Sequence, residues 1–501
     1  MIFRDWLKEL DYTLLQGSVD VETEDVIYDS RKAAPGKVFV AMKGIRVDGH
    51  SFIPQVLKAG VRVLVTERPV EEELKNSGLS EEELKQVTVV MVEEGRHALA
   101  LLSAARFDHP AKKLVMIGVT GTKGKTTTTH MIRAILLAAG KKVGMIGTTG
   151  TVIGDVVTPT LNTTPESYEL HQAFAQMVEA GCEYAVMEVS SQGIKMHRTD
   201  GLYFNYAIFT NISPDHIGPG EHADFEEYLY YKTRLLNMCG IGLVNKDDKH
   251  APQIIKAANC ELYTYSEESK EADFVASDIR YVSQPDFVGT EFHISGKYDM
   301  EVRLGIPGLF NVVNALVAVS VCSFLGLDQA RISHALENIR VNGRMEIVYT
   351  SERCTVLVDY AHNAVSMESL LSTLRDYKPK RLVCVFGCGG NRSKDRRYSM
   401  GEIGGKMADL SIITADNSRY EKVEDIIADI RGSIEKTGGK FIEIPDRREA
   451  IRYSILHAQP GDMVAVIGKG HEDYQEINGV RHHFLDREVI EETVKELGEK
   501  A

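Results

Sequence analysis

The sequence of 501 residues has few cysteines, a single tryptophan and no excess of positive charge. Its seven cysteines are dispersed and odd in number, which suits a reducing compartment better than a disulfide framework. The net charge is −14, so we expect no nucleic acid as a partner. No apolar run approaches the roughly 20 residues that cross a bilayer, and the N-terminal segment does not resemble a signal peptide. These absences favour a cytoplasmic protein without membrane insertion.

Glycine is most informative in residues 118–127, which read GVTGTKGKTT. An apolar run at residues 114–117 predicts a buried strand before it, and residues 128–137 predict a helix after it. This is the setting of a phosphate-binding loop, in which Lys125 supplies charge for the phosphates and Thr126 supplies a hydroxyl for Mg²⁺. Since the usual pattern has glycine where Val119 stands, an ordinary glycine-rich turn is the alternative. We predict that the loop binds a nucleoside triphosphate.

Strand-like apolar runs alternate with helical segments along the chain, which predicts an α/β fold with parallel sheets. The length allows about three domains. We predict a small N-terminal α/β domain over residues 1–108, a central P-loop domain with a parallel sheet over 109–338, and a C-terminal Rossmann-like domain over 339–501. The strands are predicted at residues 38–41, 61–65, 143–146, 184–187, 206–209, 355–358, 381–386, 410–413 and 463–467.

Polar residues follow two strands of the predicted central sheet, where ligands bind in open parallel sheets. Glu188 directly follows one strand, and a carboxylate there suits Mg²⁺ near the phosphates. His216 follows the next strand and is a candidate metal ligand or base. A salt-bridged glutamate and a structural histidine are the alternatives for each residue taken singly.

Lys232 lies on the apolar face of the helix predicted over residues 225–238. An inward-pointing lysine loses hydration, which lowers its pKa and leaves an amine able to take up CO₂ as a carbamate. A lysine that extends from the edge of an amphipathic face is the alternative. The side chains that share this face are Tyr228, Leu229, Leu235 and Leu236.

The C-terminal third places arginines, an amide and carboxylates after three predicted strands. Arginine suits a carboxylate ligand, and Glu472 suits an ammonium group, so an amino acid is the implied ligand. Clusters of surface charge are the alternative for each run alone. The candidate residues are Arg397, Asp416, Asn417, Arg419, Gly468 and Glu472.

Together these motifs resemble the Mur ligases, most closely the UDP-N-acetylmuramoyl-tripeptide synthetases (MurE), over essentially the whole chain. The resemblance implies a ligase of peptidoglycan synthesis, and hence of cell-wall biogenesis, cell shape and cell division. It implies ATP and Mg²⁺ as cofactors, and a UDP-MurNAc-dipeptide and a diamino acid as substrates, one substrate for each domain. It further implies amide formation through an acyl phosphate, by a monomer.

The resemblance also assigns roles to residues. Lys125, Lys232, Glu188 and His216 would be catalytic, with Lys232 carbamylated and with Thr126, Glu188, His216 and Lys232 around the metal. ATP would contact Gly121, Thr122, Lys123, Gly124, Lys125, Thr126, Thr127, Asn311, Arg344 and Asp359. The UDP-MurNAc-dipeptide would contact residues 44–50, Ser30, Arg31, Thr163, Thr164, Ser190 and Arg198. The amino acid would contact Arg397, Asp416, Asn417, Arg419, Gly468 and Glu472.

The identity of the added amino acid depends on two segments that point in different directions. Residues 416–421 are close to the pattern of diaminopimelate-adding members, with Ser418 in place of proline. Residues 215–222 look more like a lysine-adding branch, and Gln192 stands where many members have histidine. We favour meso-2,6-diaminopimelate, because Arg419 can pair with its distal carboxylate and an unpaired arginine beside lysine is costly.

Lysine or another diamino acid is the first alternative. Folylpolyglutamate synthase resembles the second and third domains, but it does not resemble residues 1–108. A MurT-type amidotransferase subunit would carry a zinc-binding cysteine cluster, which the sequence lacks. A nucleotide-dependent switch would not need the arginine-rich third domain.

Overall fold

The computed structural model of the protein describes residues 1–44 and 47–498. These residues form two compact units, Met1–Tyr265 and a second that begins at Ser266, and each unit is described by itself. The domain boundaries near residues 108 and 338 stay a prediction. Ile45 and Arg46 of the predicted UDP-binding segment lie outside the described residues. Within the described part, no helix has the length and apolarity needed to cross a membrane.

The first unit begins with a five-stranded sheet in the order β1-β5-β4-β3-β2, parallel except for the edge pair β1–β5. Apolar residues cover both faces, with Trp6 and Leu99 on one and Ile53 and Leu57 on the other. A 3₁₀ turn, Gly49–Phe52, precedes the helix Ile53–Lys58. The elements are α1 (Phe3–Trp6), β1 (Thr13–Gln16), β2 (Asp25–Ile27), β3 (Lys37–Val40), α2 (Ile53–Lys58), β4 (Val63–Thr66), α3 (Glu71–Lys75), α4 (Glu81–Leu84), β5 (Thr88–Met91) and α5 (Gly95–Arg106).

The rest of this unit contains strands in the order β9-β8-β7-β10-β6-β11-β12-β13, with a parallel centre and antiparallel pairing at β7–β8–β9. Its core includes Phe174, Phe204 and Leu235. The elements are β6 (Val115–Thr120), α6 (Lys125–Ala138), β7 (Val143–Gly147), β8 (Gly150–Ile153), β9 (Val156–Thr158), α7 (Ser167–Glu179), β10 (Tyr184–Glu188), α8 (Ser191–Lys195), β11 (Phe204–Phe209), α9 (Phe225–Thr233), β12 (Cys239–Asn245), α10 (Ala251–Ala257) and β13 (Glu261–Ser266).

The second unit begins with three antiparallel strands and two helices. These strands alternate between buried and exposed residues at their ends, unlike the continuous apolar runs of the parallel strands. The sequence-based prediction missed them for that reason. The elements are β14 (Phe274–Gln284), β15 (Phe287–Gly296), β16 (Met300–Leu304), α11 (Leu309–Phe324) and α12 (Gln329–Glu337).

The remainder forms a six-stranded sheet in the order β17-β18-β22-β19-β20-β21, parallel except for β17, and a separate hairpin. Cys384 is buried in this sheet. The elements are β17 (Glu346–Thr350), β18 (Cys354–Asp359), α13 (Ala364–Asp376), β19 (Arg381–Phe386), α14 (Lys394–Met407), β20 (Leu410–Ile413), α15 (Val423–Thr437), β21 (Phe441–Glu443), α16 (Arg447–Leu456), β22 (Asp462–Ile467), β23 (Tyr474–Ile477), β24 (Val480–His483) and α17 (Asp486–Glu496).

Candidate active site

The phosphate loop joins β6 to α6, and Val119 belongs to the strand before it. Val119 is fully buried and lies opposite Glu188 and Ile208 of the neighbouring strands. The turn therefore begins only at Gly121, which has a φ of +144°. A Cβ at Gly121 would lie 1.9 Å from the Thr210 hydroxyl oxygen, so only glycine fits. The departure from the usual loop pattern thus has a structural reason.

Two residues after β11 hold the loop in shape. The Thr210 hydroxyl and the Asn211 amide donate to the carbonyl of Lys123 at 2.7 and 3.0 Å, and the Lys123 N–H donates to Asn211 Oδ1 at 2.9 Å. These bonds position the backbone while the Lys123 side chain stays exposed. Our sequence-based prediction missed Thr210 and Asn211, although both directly follow a predicted strand.

Two lysine amines converge on the same backbone oxygen of the loop. The Lys125 amine donates to the carbonyls of Gly121 and Thr122 at 2.8 and 3.2 Å. The Lys232 amine, on α9, donates to the Gly121 carbonyl at 2.7 Å. Both predicted catalytic lysines therefore lie at the phosphate loop.

The Lys232 side chain points inward, as its apolar neighbours predicted, and is 2% exposed. The predicted helix is shorter, because α9 ends at Thr233 and a 3₁₀ turn, Arg234–Asn237, follows. Burial holds the pKa of Lys232 well below 10.5; the charge of Lys125 lowers it further, and Asp215 opposes this. The amine lies 4.7 Å from the centre of the Tyr228 ring. The alternative, a lysine that extends from the edge of an amphipathic face, is thus wrong.

Glu188 ends β10 with a buried carboxylate that faces the loop. One carboxylate oxygen accepts hydrogen bonds from the Thr126 hydroxyl at 3.0 Å and from the Thr148 N–H at 2.9 Å. The other accepts from the Thr148 hydroxyl at 3.3 Å. Within the described residues Glu188 forms no ion pair, and all the groups that donate to its buried carboxylate are neutral. A hard divalent cation such as Mg²⁺ fits this donor set.

The segment predicted to contact the dipeptide lies beside Glu188. The Thr163 hydroxyl is 3.1 Å from that of Thr148, and the Thr164 hydroxyl donates to the Glu188 backbone carbonyl at 3.0 Å. The Ser190 N–H in turn donates to the Thr164 hydroxyl at 2.9 Å. Three of the predicted substrate residues are therefore brought together, and Thr148, in the turn after β7, is an addition that the sequence did not reveal.

Arg198 also contacts the segment that contains Thr163 and Thr164. Its guanidinium donates to the Thr164 carbonyl at 2.9 Å and pairs with Glu166 at 2.7 Å. The Arg198 side chain is only 11% exposed. The fourth predicted substrate residue of this region thus lies with the others.

His216 lies at the rim of this region with an exposed side chain. Its backbone φ is +54°, its Nδ1 is 3.0 Å from Glu221, and its ring centre is 6.2 Å from that of Tyr228. His216 thus shares the Tyr228 neighbour with Lys232. In the described chain, no hydrogen bond or ion pair joins His216 to Glu188, so its metal role stays a prediction.

Ser30 and Arg31 lie in a short 3₁₀ turn, Ser30–Lys32. Arg31 is largely exposed and forms a two-pronged pair with Asp29, which lowers the pKa of that carboxyl to about 2. The adjacent Tyr28 hydroxyl donates to both oxygens of Glu169 on α7, each at 2.9 Å. The turn is thereby attached to the helix that follows the dipeptide segment.

The predicted ATP contacts of the second unit lie at the start of α11 and around β17 and β18. Asn311 is buried and donates to the Pro307 carbonyl at 2.7 Å. Arg344 stacks over the Tyr360 ring at 4.8 Å. Asp359 accepts from the Met345 and Ala361 N–H groups, while burial raises its pKa. Their contact with ATP stays a prediction.

Four of the predicted amino-acid contacts form one polar cluster at the ends of β20 and β22. The Asn417 amide donates to Glu472 at 2.9 Å, and the buried Lys469 amine lies 3.3 Å from both residues. Gly468 has a φ of +112°, which other residues rarely adopt, and a Cβ there would also lie 2.6 Å from an Asp416 carboxylate oxygen. Glu472 therefore already has a cationic partner, Lys469, which the sequence-based prediction missed.

Arg419 has a φ of +51° and is anchored to the hairpin β23–β24 and to residue 390. Its N–H donates to the Glu476 carbonyl at 2.9 Å, and its Nη1 donates to the Gly390 carbonyl at 2.7 Å. The Glu476 carboxylate is 3.5 Å from its Nε. The side chain is 23% exposed, so part of the guanidinium remains open to a ligand.

Arg397 is placed differently from Arg419. It is 1% exposed, and its two terminal nitrogens pair with Glu421 at 2.7 Å and Asp429 at 2.9 Å. The guanidinium of Arg397 is therefore already paired with two carboxylates of the protein, and its contact with the amino acid stays a prediction. The exposed arginine of the same run is Arg392. Arg392 and Arg419 both lie beside Gly389, because a Cβ built there would be 3.8 Å from Arg392 Cγ and 3.5 Å from Arg419 Nη1. Our sequence-based prediction missed Arg392.

Three family models match the chain in order. They are "Mur ligase family, catalytic domain" over residues 23–107, "Mur ligase middle domain" over 119–322, and "Mur ligase, glutamate ligase domain" over 343–470. With the sheets described above, these matches confirm the predicted three-domain α/β fold class.

Relatives and a solved structure extend over nearly the whole chain. The UDP-N-acetylmuramoyl-L-alanyl-D-glutamate–2,6-diaminopimelate ligase of Caldanaerobacter subterraneus subsp. tengcongensis is 39% identical over 498 residues, covering 98% of each chain. The enzyme of the same name from Clostridium perfringens is 37% identical, covering 98% of this chain and 99% of its own. A solved structure of a ligase of that name has a TM-score of 0.72 and 30% identity, covering 95% and 96%. The chain therefore belongs to the Mur ligase family, on its UDP-N-acetylmuramoyl-tripeptide synthetase (MurE) branch.

Proposed function

We propose that the chain adds meso-2,6-diaminopimelate to UDP-N-acetylmuramoyl-L-alanyl-D-glutamate in peptidoglycan precursor synthesis. Membership of the Mur ligase family makes it an ATP-dependent ligase, and its relatives carry this activity in their names. The D-glutamyl γ-carboxylate attacks the γ-phosphorus of ATP, and ADP leaves. The amine of the diamino acid then displaces phosphate from the acyl phosphate to form the amide.

The observation that carries the proposal is a continuous set of polar contacts from the phosphate loop to the predicted dipeptide segment. It passes from the Thr126 hydroxyl to the Glu188 carboxylate, then to the Thr148 hydroxyl and on to that of Thr163. A loop that holds a γ-phosphate and a segment that holds the attacking carboxylate need this proximity, because the reacting atoms must approach within about 3.5 Å. An ordinary nucleotide switch does not need it.

Lys125 offsets the repulsion between the attacking carboxylate and the phosphates, and preorganised charge of this kind stabilises phosphoryl transfer. When bound, Mg²⁺ would supply further positive charge at the phosphate oxygens. Thr126 and Glu188 would hold it, because among the described residues the buried Glu188 carboxylate has only neutral donors around it. His216 is the third proposed ligand.

Lys232 would contribute as its carbamate. Burial holds the pKa of the Lys232 amine well below its usual range, which favours the neutral form that can attack CO₂. Once the nitrogen has released a proton to solvent, the product is a carbamate anion in place of a neutral amine next to Lys125, and it would complete the ligands of a second Mg²⁺. The apolar surroundings that disfavour ammonium disfavour a lone anion too, so carbamylation and cation binding would accompany each other.

Diaminopimelate is the proposed amino acid because of Arg419. Its partly open guanidinium would bind the distal carboxylate, which lysine lacks. Arg392 is exposed on the neighbouring run and would assist, in the place that the sequence assigned to Arg397. Glu472 and Asn417 would receive the ammonium group. Lysine remains the alternative substrate.

We further propose a monomer that acts in the cytoplasm. All seven cysteine thiols are free, which suits a reducing compartment. The three predicted domains would each bring one substrate, with UDP bound near Ser30 and Arg31, ATP at residues 121–127, and the amino acid near Arg419.

The test is phosphate release by the purified full-length chain from ATP, with the UDP-MurNAc-dipeptide and a panel of amino acids. The panel comprises meso-diaminopimelate, L-lysine, L-ornithine and L-glutamate. We expect release that depends on the dipeptide and is greatest with diaminopimelate. A Lys125→Ala variant provides the blank for contaminating ATPases. Release with none of the amino acids would overturn the ligase proposal, and preference for lysine would overturn the amino-acid assignment alone.

A further inference from the structure

Two histidines and an aspartate meet outside the active site described above. The Nδ1 atoms of His97 and His197 lie 2.6 and 2.8 Å from the same oxygen of the Asp200 carboxylate. The two rings are edge to face, with centres 6.3 Å apart. One atom from each residue lies within 4.8 Å of the other two. The chain thus brings three metal-binding groups together from helix α5 and from the turn after α8.

The donor set has the chemistry of a transition-metal site. Two imidazoles and one carboxylate are common ligands of Zn²⁺, and three protein ligands leave a fourth position for water. Ligands of a tetrahedral zinc ion are about 3.3 Å apart, from bonds of about 2.0 Å. The two nitrogen–oxygen separations of 2.6 and 2.8 Å need to grow by about 0.7 and 0.5 Å to reach this value. The three atoms now lie within 4.8 Å of one another, and rotation of the two partly exposed rings can adjust these separations.

The charges next to the three groups do not exclude a cation, because Asp200 supplies one carboxylate and Glu94 acts on both histidines as a second. Arg234 acts on His197 in the opposite direction. Side chains of His97 and His197 are 44% and 33% exposed, which gives an ion access from solvent.

The backbone also holds one ligand in a fixed place. His197 has a φ of +55°, an uncommon conformation for a residue other than glycine. His97 is fixed at the first turn of α5, where its N–H donates to Glu94. Residues with such backbone strain are often placed for a local function.

The contacts of His97 and His197 with Asp200 form a histidine bridge, and a second set of contacts joins the residues next to it. Arg96 and Arg198, the direct neighbours of His97 and His197, both pair with Glu166, at 3.6 and 2.7 Å. The same two segments are therefore joined twice within the first unit. An ion in the histidine bridge would also fix the segment that carries Arg198.

We propose that His97, His197 and Asp200 bind a divalent transition-metal ion of the zinc class, which ties helix α5 to the turn that carries Arg198. Each histidine would bind through Nδ1 as the tautomer with its hydrogen on Nε2, and the hydrogen that Nδ1 directs at Asp200 would be released to solvent. The site is separate from the predicted Mg²⁺ ligands. It does not depend on the proposed ligase activity.

The test measures metal binding by the full-length chain after removal of metal with a chelator. Zn²⁺ binding is counted by equilibrium dialysis with excess Mg²⁺ in every sample, so that the predicted Mg²⁺ ligands are occupied. Co²⁺ is then added as a spectroscopic probe. We expect visible absorption of tetrahedral Co²⁺, and one equivalent less of Zn²⁺ in His97→Gln and in His197→Gln than in the unchanged chain. Unchanged stoichiometry in both variants would overturn the proposal.

The matched control is His483→Gln, because His483 is an exposed histidine paired with a single carboxylate, Glu488, at 2.7 Å. It should bind as much Zn²⁺ as the unchanged chain. A second measurement needs no variant and decides the matter if both fail to fold. Carbethoxylation of the unchanged chain, read by mass spectrometry, should slow several-fold at His97 and His197 with Zn²⁺ and not with Mg²⁺. Equal modification with and without Zn²⁺ would show a hydrogen-bonded cluster only.

Discussion

Lys125 and Lys232 donate to one and the same backbone oxygen, that of Gly121, at 2.8 and 2.7 Å. Two ammonium groups that donate to one oxygen repel each other, and the buried ammonium group loses its proton more easily. The charge of Lys125 is accordingly the second cause, after burial, that lowers the pKa of Lys232. The phosphate loop thus contributes to the lowered pKa of Lys232.

Lys232→Ala should lower dipeptide-dependent phosphate release by about 10²-fold or more, a size typical of losing one preorganised charged group. A small carboxylate such as propionate should restore part of the activity, because it can replace the lost carbamate. Activity is measured with and without propionate at fixed ionic strength.

Lys195→Ala is the control for Lys232, since Lys195 is a partly exposed lysine paired with Glu227 at 2.9 Å. It should keep most of the activity and gain nothing from propionate. Full activity of Lys232→Ala would contradict the carbamate role, and a loss without rescue would leave Lys232 only a structural part.

Arg419→Ala should lower kcat/KM for diaminopimelate by about 10²-fold while changing that for lysine much less. The reason is that removal of a charged partner costs most with the substrate that has a matching carboxylate. Both amino acids are compared at saturating ATP and dipeptide.

Arg481→Ala serves as the control for Arg419, because Arg481 lies on the neighbouring hairpin and stacks on Tyr474 at 4.2 Å. It should affect the two amino acids alike. Equal losses on both substrates in Arg419→Ala would remove the specificity role from Arg419.

Asp486→Asn should lower the free energy of unfolding by about 3–5 kcal/mol, the cost of breaking a buried ion pair from one side. Asp486 and Arg447 are both fully buried and form two bonds of 2.7 Å. The measurement is urea-induced unfolding. Glu492→Gln, which breaks the exposed pair with Arg448, should cost less than about 1 kcal/mol. Equal effects would show that burial does not govern these pairs.

Much of the fold was predictable from the sequence where burial leaves a continuous apolar run. The strands at residues 381–386 and 410–413 have their predicted bounds. Lys232 was recognised because its helix neighbours at three and four residues are apolar. Strands β14 to β16 were missed, because half-exposed antiparallel strands do not produce such runs.

Side-chain direction within a charged run was less predictable. Helix α14 begins at Lys394, so Arg397 lies in its first turn and turns inward, while Arg392 precedes the N-cap Ser393 and stays exposed. The sequence shows both arginines but not the position of the N-cap. The cluster of His97, His197 and Asp200 depends on contacts across about a hundred residues of sequence, which no local pattern reveals.

His171 should make the protein less stable in mild acid. It is 1% exposed on α7, and neither ring nitrogen has a hydrogen-bond partner within the described chain. Burial lowers its pKa from 6.5 to about 3, and the charge of His109 acts in the same direction. Above pH 6.5 the ring is neutral in both states and contributes nothing. Below pH 6.5 the unfolded chain binds a proton that the folded chain does not bind, so the free energy of unfolding falls by about 1.4 kcal/mol per pH unit until the folded pKa is reached.

His171→Met should therefore gain about 1.4 kcal/mol in free energy of unfolding relative to the unchanged chain between about pH 7.5 and about pH 5.5, measured by urea unfolding at both pH values. His457→Met, at an exposed position, should show no such gain, and a gain of the same size there would contradict the assignment to His171.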